Sequence, residues 1–169
     1  MAFQFAYTLD GEAASPVKDF ALDTAGNYGT GGVKKGDLVF LSGGLVRKVQ
    51  AATVANSGLG VIEGQEFLGL VAPGQPYAAT NTSFTAQAIN TTKNPNGVGK
   101  VRADKTSVVY KVPVKSGQTA ATANVGVAYG IAVDATTQDQ SVDLTVTTTV
   151  QTKVIDYTTD GKFVYVTLV

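Results

Sequence analysis

Apolar and polar residues alternate along most of this chain with a period of two. Phe3, Phe5 and Tyr7 alternate near the start, and the apolar residues of segment 142–150 alternate with Asp and Thr. Successive side chains of a β-strand point to opposite faces, so alternation indicates strands with one buried face. No long stretch shows the i, i+3, i+4, i+7 spacing of an amphipathic helix. The pattern therefore predicts an all-β protein.

Turn residues divide this pattern into strands. Two hairpins are predicted, each with a turn between two apolar runs: 38–41 and 45–49 around Gly43-Gly44, and 153–157 and 163–169 around Asp160-Gly161. Glycine supplies the positive φ angles that tight hairpin turns require, and Asp-Gly between alternating runs is a strong hairpin signal. Further strands are predicted at 59–62, 67–72, 108–114, 125–133 and 142–150.

Three predicted strands carry more specific expectations. The run 163–169 is apolar on both faces, which favours a central or covered strand. Pro113 has no backbone N–H, so the strand 108–114 is expected at a sheet edge or a bulge. One face of the strand 125–133 holds only Gly and Ala. Such a face lets another backbone approach closely, from a second sheet of this chain, which we favour, or from another subunit.

Shifts in composition divide the 169 residues into four segments. They are an N-terminal arm (1–32), a small β-barrel or meander (33–72), a polar loop (73–97) and a second β-rich module (98–169) packed with the first. A chain of this length buries enough surface to fold without disulfides or metal ions. We expect small antiparallel barrel or sandwich modules with an extended N-terminal arm.

The arm contains the aromatic residues that are candidates for an interface. Phe3, Phe5 and Tyr7 are expected to share one face of a short strand, and Tyr28 lies in the glycine-rich stretch 26–32. In the favoured interpretation, the aromatic strand belongs to the core or pairs within its own subunit. In the alternative, the arm adds a strand to a neighbouring protein and its aromatic residues form a capsid or subunit interface.

Composition excludes several classes of chemistry. The chain has no Cys and no His, which removes thiol nucleophiles, disulfides, Cys/His zinc sites and the usual general base. Thirteen basic residues balance 13 acidic ones, so net charge gives no reason to bind nucleic acid or an anionic membrane. Charged residues are only 15% of the chain. This fits a surface covered in an assembly or a neutral, Thr-rich β-surface.

No candidate for catalysis stands out. Lys115-Ser116 are neighbours that point to opposite faces of a strand, which argues against a Ser–Lys pair. Glu63 and Glu66 flank a short turn, where solvated charge is the ordinary interpretation of paired carboxylates. We therefore expect no enzyme activity and no catalytic residues.

Candidates for ligand binding are equally sparse. Asp134, Asp139 and Asp143 do not match the spacing of a calcium-binding loop. Tyr28 and Tyr77 are loop aromatics that could stack on a sugar, but the chain has no Trp. We expect no metal and no cofactor. The start lacks the features of a secretory signal and no apolar run is long enough for a membrane span, so the protein is expected in the cytoplasm where it is made.

Two segments carry a resemblance to a known family. They are Val33-Lys-Lys-Gly-Asp-Leu-Val-Phe-Leu-Ser-Gly-Gly-Leu-Val-Arg-Lys-Val49 and Leu59-Gly-Val-Ile-Glu-Gly64. With the later segments 125–131 and 140–144 and the final hairpin, they resemble the capsid decoration, or cement, proteins of tailed bacteriophages. The resemblance covers most of residues 33–169. The N-terminal arm and the polar loop lie outside it.

This resemblance implies a structural protein that binds the outer face of an expanded capsid, often as a trimer. Its partner would be the major capsid protein, and its place the exterior of the virion. Two rivals remain: an adhesive or carbohydrate-binding β-module on the virion surface, and an enzyme built on Asp, Glu, Ser and Lys. Composition argues more strongly against the enzyme.

Overall fold

The computed structural model describes residues 3–11, 17–21, 35–51, 58–66, 98–102 and 107–169. These residues form eleven β-strands and one short 3-10 turn at Thr122–Asn124. The prediction of an all-β protein is confirmed. The strands are β1 (Gln4–Thr8), β2 (Val17–Ala21), β3 (Leu38–Ser42), β4 (Leu45–Lys48), β5 (Gly58–Glu66), β6 (Val98–Arg102), β7 (Val108–Pro113), β8 (Ala128–Val133), β9 (Gln140–Asp143), β10 (Thr152–Tyr157) and β11 (Phe163–Leu168).

A six-stranded antiparallel sheet has the order β1-β7-β11-β10-β8-β9. The chain just after β7 returns to the far end of this sheet, where Val114 forms a parallel bridge with Val142 and the Lys115 amide donates to the Val142 carbonyl at 2.9 Å. The sheet therefore curls back on itself into a small barrel of β7, β11, β10, β8 and β9. β1 is added to the first half of β7.

A five-stranded antiparallel sheet has the order β2-β6-β5-β3-β4. Its β3–β4 hairpin turns at Gly43 and Gly44, whose φ angles are 59° and 81°, so the predicted glycine turn is confirmed. β6 lies in this sheet, although the division by composition groups residue 98 onward with the second module. The two strands of segment 1–32 also separate, since β1 joins the six-stranded sheet and β2 joins the five-stranded sheet. Each sheet thus combines strands that are distant in sequence.

The core joins the two sheets. Leu38, Val49 and Val61 of the five-stranded sheet are buried in one cluster with the inward side chains of the barrel. Those barrel residues include Tyr110, Val112, Val142, Val154, Val164, Val166 and Leu168. Most are Val, which suits a pleated surface packed on both sides.

Two buried polar side chains also cross between the sheets. Gln140 of β9 accepts from the Leu38 amide at 2.6 Å and donates to the Leu38 and Val49 carbonyls at 3.0 and 2.8 Å. Its amide thus extends the hydrogen bonding of the β3–β4 hairpin. Lys48, fully buried, donates to the Gln138 carbonyl at 2.6 Å and pairs with Asp37 at 3.1 Å. These contacts fix how the barrel sits on the hairpin.

Several strand predictions are confirmed. β10 and β11 form the predicted hairpin, and β11 lies between β7 and β10 as its two apolar faces indicate. The small-residue face of β8 is covered from within the chain. The Gly130 amide donates to the Val146 carbonyl at 2.9 Å, and a Cβ at position 130 would lie 2.6 Å from the Thr149 carbonyl oxygen. The close approach is therefore internal, as favoured, but it comes from the segment after β9 and not from a second sheet.

Three details of the strand prediction are wrong. β7 is not an edge strand, since β1 and β11 flank it; Pro113 is tolerated because it is the last residue of β7, beyond the part that pairs with β1. The strand predicted at 142–150 ends at Asp143, whose carboxylate accepts from the Thr145 amide and hydroxyl and starts a turn. The strand predicted at 125–133 begins only at Ala128, because Gly126 has a φ of 83°.

The strand predicted at 67–72 and the segment 73–97 lie outside the described residues. The division into four segments stays a prediction.

Candidate interaction surface

The candidate interface residues of the arm lie on β1, which pairs with β7 of the same chain. Phe5 is opposite Tyr110, and Tyr7 is opposite Val109, so a bulge at Ala6 shifts the register by one residue. Tyr110 and Val109 are neighbours in a strand and point to opposite faces. Phe5 and Tyr7, which are opposite these two residues, therefore also point to opposite faces of the sheet. The expectation that Phe3, Phe5 and Tyr7 share one face is wrong because of this bulge.

Phe3 belongs to the core. Its side chain is only 3% exposed and its ring meets Tyr110 edge-on, with 6.1 Å between centroids. The Phe3 amide donates to the Gly36 carbonyl at 2.8 Å, just before β3. This residue thus ties the start of the described chain to both sheets.

Phe5 lies at the rim between the sheets. The Arg102 guanidinium of β6 stands over its ring at 5.5 Å from the centroid, and the same Arg102 pairs with Glu63 of β5 at 3.0 Å. A cation over an aromatic face is attractive. Phe5 nevertheless remains 47% exposed. Phe5 thus combines an internal contact with a large accessible apolar ring.

Tyr7 faces the outside of the six-stranded sheet. Its ring lies beside that of Tyr165 of β11, with 6.2 Å between centroids and a tilt of 40°. Both rings border an open depression of about 470 Å³, whose other lining residues are Gln4, Phe5, Ala6, Lys111 and Asp156. We name this feature the Tyr7–Tyr165 depression. Its residues come from the four neighbouring strands β1, β7, β11 and β10.

The electrostatics of the Tyr7–Tyr165 depression are balanced. Partial burial, together with the nearby Asp156 carboxylate and Tyr165, raises the pKa of Tyr7, so its hydroxyl stays protonated at neutral pH. Lys111 extends over the Phe163 ring at 4.7 Å from its centroid. Asp156 accepts from the Tyr157 amide at 2.8 Å through one carboxylate oxygen. One positive and one negative side chain therefore border the depression.

Exposed apolar side chains concentrate near the start of the described chain. Six large apolar residues are substantially exposed: Phe5, Tyr7, Leu9, Val17, Leu41 and Val125. Four of them lie on or next to β1 and β2. Each of these two strands ends its sheet, and within the described residues no strand pairs with its other edge. We name Phe5, Leu9 and Val17 the edge apolar group.

The other candidates have local structural partners. Glu63 pairs with Arg102, and the side chain of Glu66 lies outside what is described. Asp134 accepts from the Thr136 and Thr137 amides of its own turn, which lowers its pKa. Lys115 pairs with Asp143 at 2.6 Å. Within the described ranges, no group of three acidic residues is arranged to hold a metal ion.

Two aromatic candidates from the sequence lie outside the described residues, and one aromatic residue of the depression was not predicted. Tyr28 and Tyr77 fall outside the described residues. Tyr165 was missed because it lies in a strand that is apolar on both faces, which indicates burial. Its register opposite Lys111 and Asp156 is visible only in the paired strands.

Comparison with known proteins does not assign this chain to a family. No protein-family model, no curated protein and no solved structure matches the chain. The likeness to capsid decoration proteins therefore stays a prediction from the sequence. Among the residues that the structure describes, none of the helical segments is long and apolar enough to cross a membrane.

Proposed function

We propose that this protein is a structural component of a bacteriophage particle. In this proposal it is made in the host cytoplasm, binds the exterior of the mature capsid as a homotrimer and bridges neighbouring major capsid proteins. It acts by binding and carries out no catalysis. A protein that binds only the expanded shell stabilises that shell by mass action.

The observation that best supports this proposal is the edge apolar group. Phe5, Leu9 and Val17 are 47%, 52% and 38% exposed, and β1 and β2 end their sheets. Exposed apolar side chains on the terminal strand of a sheet favour contact with another chain. The low charge of the chain also suits a surface covered in an assembly. The edge apolar group is therefore the proposed contact with the capsid or a neighbouring subunit.

Co-sedimentation tests this proposal. The full chain is mixed with undecorated expanded capsids of the phage that encodes it, and with unexpanded procapsids as the control. We expect saturable binding to the expanded capsids alone. Absence of binding to expanded capsids would overturn the capsid function. Native mass spectrometry of the free protein, and of protein released from capsids, tests whether it is a trimer.

Paired variants test the contact surface. Leu9→Asp and Val17→Asp should each weaken capsid binding by about tenfold or more, because burying an unpaired carboxylate costs well over 1.4 kcal/mol. Leu41→Asp is the matched control, since Leu41 is 41% exposed on β3 and belongs to neither β1 nor β2. Equal weakening in all three variants would contradict the edge apolar group as the contact.

A further inference from the structure

We propose that the Tyr7–Tyr165 depression binds an uncharged carbohydrate. This activity goes beyond capsid binding and uses the outer face of the six-stranded sheet. The ligand class is an oligosaccharide of neutral sugars, such as those on bacterial surfaces.

The aromatic pair provides the apolar part of the site. Tyr7 is 42% exposed, and its ring lies 6.2 Å from the Tyr165 ring at a tilt of 40°. The two rings stand side by side at an angle, so neither one covers the other completely. Tyrosine offers an apolar ring with a polar end, which suits a ligand with apolar C–H faces and hydroxyl edges. A sugar ring has this composition.

The polar part of the site offers both donors and acceptors. Lys111 supplies only donors, the Asp156 carboxylate only acceptors, and the Gln4 amide both. A sugar hydroxyl donates and accepts, so neighbouring hydroxyls can be satisfied by such a mixed set. One oxygen of Asp156 is engaged by the Tyr157 amide, which fixes the carboxylate and leaves its second oxygen as an acceptor.

The charge of the depression indicates an uncharged ligand. Lys111 and Asp156 are the two charged residues that line it, and their charges cancel. Lys111 would attract an anionic ligand that Asp156 repels, and Asp156 would attract a cationic ligand that Lys111 repels, so the pair gives neither charge a net advantage. A ligand without net charge therefore loses nothing relative to a charged one.

The backbone holds these groups in a fixed row. Gln4 is paired with Lys111, Lys111 with Tyr165, and Tyr165 with Asp156. Directly opposed residues of neighbouring strands share a face, so the row crosses four strands on one side of the sheet. The bulge at Ala6 then brings Tyr7 to the same side. Sites built on strands are better organised in advance than sites on loops. The volume of about 470 Å³ lies in the usual range for small-ligand sites.

The experiment screens the free, full chain against a printed array of bacterial surface glycans. The best neutral glycan is then titrated in solution by calorimetry. We expect a neutral glycan to bind with a Kd below about 1 mM. Tyr7→Ala and Tyr165→Ala should each raise that Kd by about tenfold or more. Gln4→Ala should raise it less, because it removes polar contacts and leaves both rings.

Controls separate lost binding from lost folding. Leu41→Ala changes an exposed apolar residue on β3 of the five-stranded sheet, which contributes no residue to the depression, and should leave the Kd unchanged. Tyr7→Phe keeps the ring, so it should bind more tightly than Tyr7→Ala. All variants should show the far-ultraviolet circular dichroism of the wild type. Absence of neutral glycan binding, binding of charged glycans only, or equal binding by wild type and both Tyr→Ala variants would each overturn the proposal. No capsid is present, so these results are independent of the co-sedimentation.

Discussion

Replacing Gln140 tests whether one buried amide holds the barrel on the β3–β4 hairpin. Gln140 is fully buried and makes three hydrogen bonds to backbone groups of Leu38 and Val49. Gln140→Leu keeps a side chain of similar size but removes every polar atom. The Leu38 carbonyl retains the Val49 amide as a donor at 3.0 Å. The Leu38 amide and the Val49 carbonyl lose the partner that Gln140 provides.

The expected cost follows from these two groups. A buried backbone group left without its partner costs about 1–3 kcal/mol, so two of them cost about 2–6 kcal/mol. The apolar side chain is cheaper to bury than the amide, which offsets part of that cost. We therefore expect Gln140→Leu to lower the free energy of unfolding by about 2–4 kcal/mol. This is a large share of the stability of an ordinary domain.

A second variant separates the acceptor role from the donor role. Gln140→Glu keeps an acceptor for the Leu38 amide but places an ionised carboxylate against two carbonyl oxygens. A protonated carboxyl supplies one donor. The destabilisation by Gln140→Glu should therefore be large at pH 7 and smaller near pH 4, whereas that of Gln140→Leu should not follow this trend.

Urea unfolding with linear extrapolation measures both variants at the two pH values. Unchanged m-values would show that the same surface is exposed on unfolding. A loss below about 1 kcal/mol for Gln140→Leu would refute the reasoning, because it falls short of the cost of even one well-buried unsatisfied group.

Two further predictions concern the barrel. Gly130→Ala should lower the free energy of unfolding by about 1–3 kcal/mol, since its Cβ would lie 2.6 Å from the Thr149 carbonyl oxygen and from Val146. Ala132→Ser on the same strand is the control. Equal stability of Gly130→Ala and the wild type in urea unfolding would contradict the close approach. Burial raises the pKa of Asp143, but the hydrogen bonds from Lys115, Thr145 and Gln118 outweigh it and hold that pKa well below the ordinary value of 3.8. The ionised carboxylate therefore stabilises the fold above pH 3.8 and loses that effect as pH falls through the lowered pKa. Asp143→Asn should unfold at a lower temperature than the wild type at pH 7, and the difference should narrow steadily as pH falls below 3.8. A difference that does not change with pH would argue against a contribution from the carboxylate charge.

The sequence predicts the strands whose signals are local. The β3–β4 and β10–β11 hairpins follow from Gly43-Gly44 and Asp160-Gly161, because turn residues act within a few positions. Alternation alone does not locate the end of β9, since the Asp143 side chain starts a turn inside an alternating run. The bulge at Ala6 is also invisible in the sequence, and it decides which aromatic residues share a face.

The Tyr7–Tyr165 depression is less predictable than the fold. Its residues come from strands that are brought together only by register. Gln4 and Lys111 are paired although 107 positions separate them, and no local signal in the sequence indicates this pairing. The edge apolar group is closer to what the sequence indicates, since Phe5 belongs to the aromatic segment that was chosen as a candidate interface.

The pairing of distant strands has a consequence for how the protein folds. β1 pairs with β7 about 100 residues later, and β2 pairs with β6 about 80 residues later. Pairings of this kind require long loops to close before any contact compensates the lost entropy, so they form slowly. The β3–β4 and β10–β11 hairpins can form early. Until β1 and β2 pair with β7 and β6, the edges of β7 and β6 stay unpaired. During that interval the chain is most exposed to aggregation, and a chaperone or a low expression temperature would help most then.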